Sequence, residues 1–147
     1  MSRVEPYTTL KPLGSDNPAD LWKWMTMAQE KTGSEVLAIA HNGNLSNGVM
    51  FPTVEAFGKP VDRAYAQERA RWERLYEVTQ TKGTSEAHPS LSPNDEFADF
   101  EIWDKGNLDG SAKKTPDMIQ REYAPEALKN GLMLEQKLAC YRAGGNS

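Results

Sequence analysis

Five consecutive apolar residues, Val36-Leu37-Ala38-Ile39-Ala40, run directly into His41 and a loop crowded with Asn and Gly. No other segment constrains the fold as strongly. The run is too short for a helix core, and polar residues bound it on both sides. It predicts a strand buried on both faces, as in a parallel sheet covered by helices. A helical pattern precedes it. Asp16-Asn17-Pro18 offers a side-chain oxygen to cap a first turn and a proline suited to the first helical position. Leu21, Trp24, Met25 and Ala28 then recur at i, i+3, i+4 and i+7, and Gly33 ends the pattern as a left-handed cap would.

The rest of the chain continues the alternation. Residues 1–15 are expected to be extended. Pro60 is expected to open a second helix with Ala64, Tyr65, Glu68, Trp72 and Leu75 on one face, and residues 76–81 form a second strand. After a polar loop, Ser92-Pro93-Asn94-Asp95 reads as a helix start leading to Phe97, Phe100 and Trp103. Thr115-Pro116 opens a further helical stretch that Pro125 should interrupt, because proline lacks the backbone donor. A last helical segment covers residues 126 to about 141, and residues 143–147 are a frayed tail. The order predicts an α/β class. Two strands do not finish a sheet, so a single domain over residues 1–147 with an incomplete sheet is expected.

Composition narrows the function classes. The apolar fraction of 38% is low, but 11 glycines and four tryptophans bring the chain into the globular range, with the tryptophans as core or interface. A net charge of −4 argues against nonspecific nucleic-acid binding. The basic residues of 63–74 alternate with Glu68 and Glu73, which describes a solvated helix face. Cys140 is the only cysteine, so an intrachain disulfide and a cysteine-based zinc finger are excluded. No run approaches the ~18 apolar residues of a membrane span. Met1-Ser2-Arg3-Val4-Glu5-Pro6 has no apolar signal core. A soluble chain is expected, with a parent protein either cytoplasmic or exported.

The chemistry centres on the two histidines, His41 and His88. Side chains at the C-terminal ends of parallel strands face the mouth where ligands bind, which places His41 where an imidazole can hold a metal or move a proton. Glu86 and His88, two apart in extended chain, project to one side. Together with His41 they make a two-histidine, one-carboxylate set suited to Zn, Mn or Fe. Asn42 and Asn44 offer short polar groups that can support such ligands or meet substrate. Lys82 can meet an anionic substrate.

Three stretches carry a resemblance. They are Leu37-Ala38-Ile39-Ala40-His41-Asn42-Gly43-Asn44-Leu45-Ser46-Asn47-Gly48, then Glu77-Val78-Thr79-Gln80-Thr81-Lys82-Gly83-Thr84-Ser85-Glu86-Ala87-His88-Pro89, and Leu91-Ser92-Pro93-Asn94-Asp95-Glu96-Phe97. In that order they resemble a bacterial family of domains of unknown function related to the PHP metal hydrolases, named for polymerase and histidinol phosphatase. The resemblance implies a distorted β/α barrel with metal ions at the C-terminal strand ends. It implies His41 as an interior ligand, with Glu86 and His88 at the same mouth. Such proteins open with a His-x-His strand and close with an Asp-x-His strand, and this sequence has neither. The resemblance therefore implies an internal piece of a larger PHP-type barrel with an incomplete metal centre. The expected activity is metal-dependent hydrolysis of a phosphoester or other small molecule. The alternatives are a noncatalytic truncated domain that self-associates through exposed sheet edges, and a mononuclear iron oxygenase site.

Overall fold

A computed structural model describes residues 4–140, with side chains to residue 138. The expected tail at 143–147 lies outside the described residues. The fold is mixed α/β and forms two compact units, Met1–Ala38 with Arg63–Arg74, and Ile39–Asp62 with Leu75–Ser147.

The first unit pairs two helices. Helix α1 spans Pro18–Thr32, where Asn17 caps through its side chain onto the Ala19 N–H and Gly33 closes at φ 69° with its N–H on the Gln29 carbonyl. A glycine meets that left-handed geometry without the steric cost of a Cβ. The buried stripe is Trp22, Met25 and Ala28. It is rotated from the stripe expected around Leu21 and Trp24. The rotation follows from Trp22, whose indole N–H donates to Glu73 at 2.9 Å while its ring packs on Tyr65, the centroids 5.2 Å apart. The other helix, α2 (Arg63–Trp72), brings Trp72 into the cluster with Trp22 and Met25. Burial of each such large apolar side chain stabilises by about 1.5–3 kcal/mol.

Strand β1 is Ile39–Ala40, and strands β2 (Glu55–Ala56) and β3 (Lys59–Pro60) form a hairpin. Phe57 and Gly58 turn it, both with positive φ, as the tightest hairpin turns require. Pro60 thus belongs to a strand, and α2 begins at Arg63 and ends at Trp72. Strand β4 is Leu75–Tyr76, parallel to β1; β5 (Thr79–Gln80) and β6 (Gly83–Thr84) are antiparallel. The strand expected over 76–81 is therefore two strands. Gly83, at φ 97°, supports the second turn.

Two further expectations fail. Ile39 and Leu75 pair in register yet are 55% and 52% exposed, and Leu37 is exposed as well. The 36–40 run is not buried on both faces: Val36 and Ala38 pack, partly buried, against the Trp22, Met25 and Trp72 cluster, while Leu37 and Ile39 are exposed. Residues 92–103 form successive turns rather than a helix. Asp95 accepts from the Phe97 N–H, the kind of bond that caps α1 at Asn17, but only single turns follow, with the Ala98 N–H on the Asp95 carbonyl and the Phe100 N–H on the Phe97 carbonyl. Glu101 then turns left-handed. Phe97, Phe100 and Trp103 are consequently exposed, so Trp103 is not a core residue. Helix α3 is Pro116–Ile119 and helix α4 is Ala124–Cys140. Pro125 sits in the first turn of α4, where its missing donor costs nothing. No helix among the described residues is long and apolar enough to cross a membrane.

Candidate functional site

The parallel pair delivers two side chains to one place. Ile39 and Ala40 register with Leu75 and Tyr76, and the Glu77 N–H donates to the Ala40 carbonyl at 2.9 Å. The next residue on each strand is therefore His41 and Glu77. His41 Nδ1 lies 3.1 Å from Glu77 Oε2, and both side chains reach solvent. The Asn42 amide faces His41 Nε2 at 3.2 Å, and Gln80 donates to the Asn42 carbonyl oxygen at 2.7 Å. The Gln80 bond fixes which end of the Asn42 amide is the donor. Asn42 therefore donates to Nε2, and Nδ1 carries the hydrogen given to Glu77. Asn42 itself is left-handed at φ 61°, a conformation asparagine tolerates better than most residues. Sequence reasoning missed Glu77 because it falls within the second expected strand. The same rule that singles out His41, a polar residue at a strand end, finds Glu77 once that strand is ended at Tyr76.

A buried polar clamp holds the loop after His41. Gly43, Asn44 and Leu45 form a short 3-10 turn that is wholly buried. The Asn44 backbone N–H donates to Ser85 Oγ at 3.0 Å, its side-chain amide donates to the Lys82 carbonyl at 3.1 Å, and Ser85 Oγ donates to its side-chain oxygen at 3.2 Å. Lys114 Nζ donates to the Asn44 carbonyl at 2.8 Å and to Glu122 Oε1 and Oε2 at 2.6 and 2.5 Å. Both charged side chains are out of solvent, at 3% and 0% exposure. The Gly48 N–H donates to Glu122 at 3.3 Å, and the Tyr76 hydroxyl donates to the Glu122 backbone carbonyl at 2.8 Å. Burial pushes the Glu122 carboxyl above its usual range, opposed by its bonds from Lys114, Gly48 and Asn47. Burial also raises the Tyr76 phenol to about 12. Asn44 and Lys82 thus act here through structural bonds, Lys82 by its carbonyl.

His88 occupies a different environment. Its ring is buried and packs at a tilt on Tyr123, the centroids 5.1 Å apart. Nε2 lies 2.8 Å from Asp104 Oδ2, and Nδ1 lies 2.7 Å from Ser90 Oγ and 3.1 Å from the Ser90 N–H. Glu86 is exposed, and its N–H donates to Thr84 Oγ1 at 3.0 Å. The Tyr123 hydroxyl is buried without a hydrogen-bond partner among the described residues, and burial raises its pKa.

The residues selected from the sequence are therefore distributed. His41 and Asn42 adjoin, with Glu77 and Gln80 as added partners, while Glu86 and His88 have other neighbours. Among the described residues no three His, Cys, Asp or Glu side chains are grouped to hold an ion. His41 Nδ1 is engaged with Glu77, so Nε2 is the ring nitrogen that could meet Zn, Mn or Fe, with Glu77 behind the ring.

No curated protein and no solved structure matches the chain. A family model does, over residues 1–144. The chain belongs to the family described as a protein of unknown function, DUF3604.

Proposed function

We propose that this chain supplies part of a metal-dependent hydrolytic centre in a larger PHP-like β/α barrel, acting on a phosphoester or related small molecule. The observation that carries the proposal is the side-by-side placement of His41 and Glu77 at the C-terminal ends of two parallel strands. That is where parallel α/β folds place ligands. A divalent ion bound there supplies a Lewis acid and an activated water. Glu77 fixes the imidazole tautomer and ring plane, as carboxylates beside ligand histidines do. Asn42, tied to Gln80, covers Nε2 and must swing aside for that nitrogen to take a ligand. Glu86 and His88 remain part of the proposed mouth, with one condition. Both His88 ring nitrogens are engaged, so ion binding through Nε2 there would recruit Asp104 as a fellow ligand.

The test is equilibrium dialysis of the full chain against Zn and Mn, with the bound metal counted. The expected result is loss of bound metal in His41→Ala and in Glu77→Ala. Unchanged stoichiometry in both variants overturns the reading. A second reading, self-association of this chain, is favoured by one observation: Ile39 and Leu75 present an exposed apolar pair on a strand ladder with open edges among the described residues.

A further inference from the structure

Two adjoining hollows lie in the second unit, where the β2–β3 hairpin approaches α3 and α4. One, of about 420 Å³, is bordered by Thr53, Glu55, Asp117, Gln120, Arg121 and Asn130. The other, of about 410 Å³, shares Thr53 and Asn130 with it and adds Met133, Leu134 and Lys137. Each falls within the size range of small-molecule sites. None of these residues belongs to the ion centre proposed above.

Arg121 is the informative side chain. It is half-buried, and a Cβ on Gly48 would stand 3.0 Å from its Cζ, Nε and Nη2, so the guanidinium lies face-on to that glycine. Asp117 is its ion-pair partner among the described residues, at 3.6 Å, which exceeds hydrogen-bond length. The guanidinium donors therefore make no hydrogen bond among the described residues. Asp117 is itself turned to the Thr115 hydroxyl, which donates to its Oδ1 at 2.6 Å. A planar fork of donors, held in place without an acceptor, fits a carboxylate that can meet it with two parallel bonds. The same hollow carries the carboxylates of Glu55 and Asp117, and Glu55 makes no ion pair among the described residues. Both repel a simple anion and attract an ammonium group. The adjoining hollow offers Met133 and half-buried Leu134 to an apolar chain. Asn130, between the two, is fixed by its amide donating to the Gln120 carbonyl at 3.0 Å.

We infer that the paired hollows bind a free α-amino acid with an apolar side chain, such as leucine. Its carboxylate meets Arg121, its ammonium group meets Glu55 and Asp117, and its side chain lies on Met133 and Leu134. In such a ligand the three groups stand on one carbon, as the three kinds of wall adjoin around Thr53 and Asn130.

The experiment is isothermal titration calorimetry of the full chain with L-leucine, beside isocaproate, which lacks the ammonium group, and isoamylamine, which lacks the carboxylate. The expected result is one saturable site for leucine, with each analogue at least about tenfold weaker through loss of a charge-assisted contact. Arg121→Gln should weaken leucine at least about tenfold. Glu55 is exposed on the hairpin, so Glu55→Gln should keep the fold. It should weaken leucine while leaving isocaproate unchanged or more tightly bound, a split that structural damage would not produce. No saturable leucine binding at about 10 mM overturns the inference, since that concentration fills a site of even ~1 mM affinity. Equal affinity for the three compounds overturns it, as does leucine binding unchanged in Arg121→Gln. Should Arg121→Gln fail to fold by circular dichroism, Glu55→Gln decides, and equal effects on leucine and isocaproate overturn the inference. Metal binding in the dialysis experiment is independent of all these outcomes.

Discussion

At the scale of single residues, the second unit depends on paired buried polar groups, with Asn47 Oδ1 and the Tyr123 hydroxyl as exceptions among the described residues. Asn44, Thr84, Ser85, His88 and Glu122 are buried there. A buried charge that loses its partner is costly. Lys114→Met leaves the Glu122 carboxylate facing only N–H donors, and should destabilise by about 3–5 kcal/mol, measured by urea unfolding. Adding Glu122→Gln to Lys114→Met should recover part of that loss, since the pair no longer leaves a charge stranded. Tyr76 adds a pH limb. Burial raises its phenol to about 12 in the folded state, so the folded state holds the proton more tightly than the unfolded chain. Its contribution is fully present below pH ~10, where an unfolded tyrosine begins to ionise. It is lost as pH rises from there to about 12. Tyr76→Phe should flatten that alkaline fall while costing about 1 kcal/mol at neutral pH for the lost hydrogen bond. An alkaline limb of unaltered steepness in the variant would assign it elsewhere, with Tyr123 the first candidate because burial raises its phenol too.

At the scale of elements, the segments with local signals behave as their sequences require. Asn17, Pro18 and Gly33 set both ends of α1, and these caps depend on near neighbours alone. The 3-10 turn after His41 has no such independence. A Cβ on Gly43 would collide with the Tyr76 hydroxyl and stand 2.7 Å from the Glu122 carbonyl. Gly43→Ala should therefore push the turn away from Tyr76 and displace His41 from Glu77. The check is the His41 imidazole nuclear magnetic resonance signal, which should lose its sensitivity to Glu77→Gln in the Gly43→Ala background. Retained sensitivity would show that the turn absorbs the methyl group. The 92–103 segment carries the opposite lesson. Its sequence has the pattern of a helix cap, and Asp95 makes the cap-type bond to the Phe97 N–H, yet turns rather than a helix follow. The choice between a cap and an isolated turn rests on whether an apolar face finds a partner, and Phe97 and Phe100 stay exposed.

At the scale of the whole molecule, apolar side chains remain uncovered where a larger α/β protein would place another layer. Ile39 and Leu75 are exposed on the parallel pair, and Leu128, Leu132 and Met133 are exposed on α4. Parallel strands are ordinarily covered on both faces, and uncovered apolar surface favours association. If self-association uses the ladder, the weight-average mass by light scattering should rise with concentration and fall toward the monomer in the Ile39→Thr, Leu75→Thr double variant. A concentration-independent monomer mass in the unaltered chain would remove that reading.

The amino-acid order alone determined the α/β class, the caps of α1, the position of His41 at a strand end, and the helix start at Pro116. Each depends on residues within a few positions of one another, so the local chain carries the information. Tertiary structure alone decided that Glu77 is the partner of His41, that Asp104 claims His88, and that Lys114 and Glu122 lock the turn at Asn44. Those pairings join residues 36, 16 and 8 positions apart. They arise from strand register and from the need of every buried polar group for a partner, conditions that exist only once the chain has closed on itself.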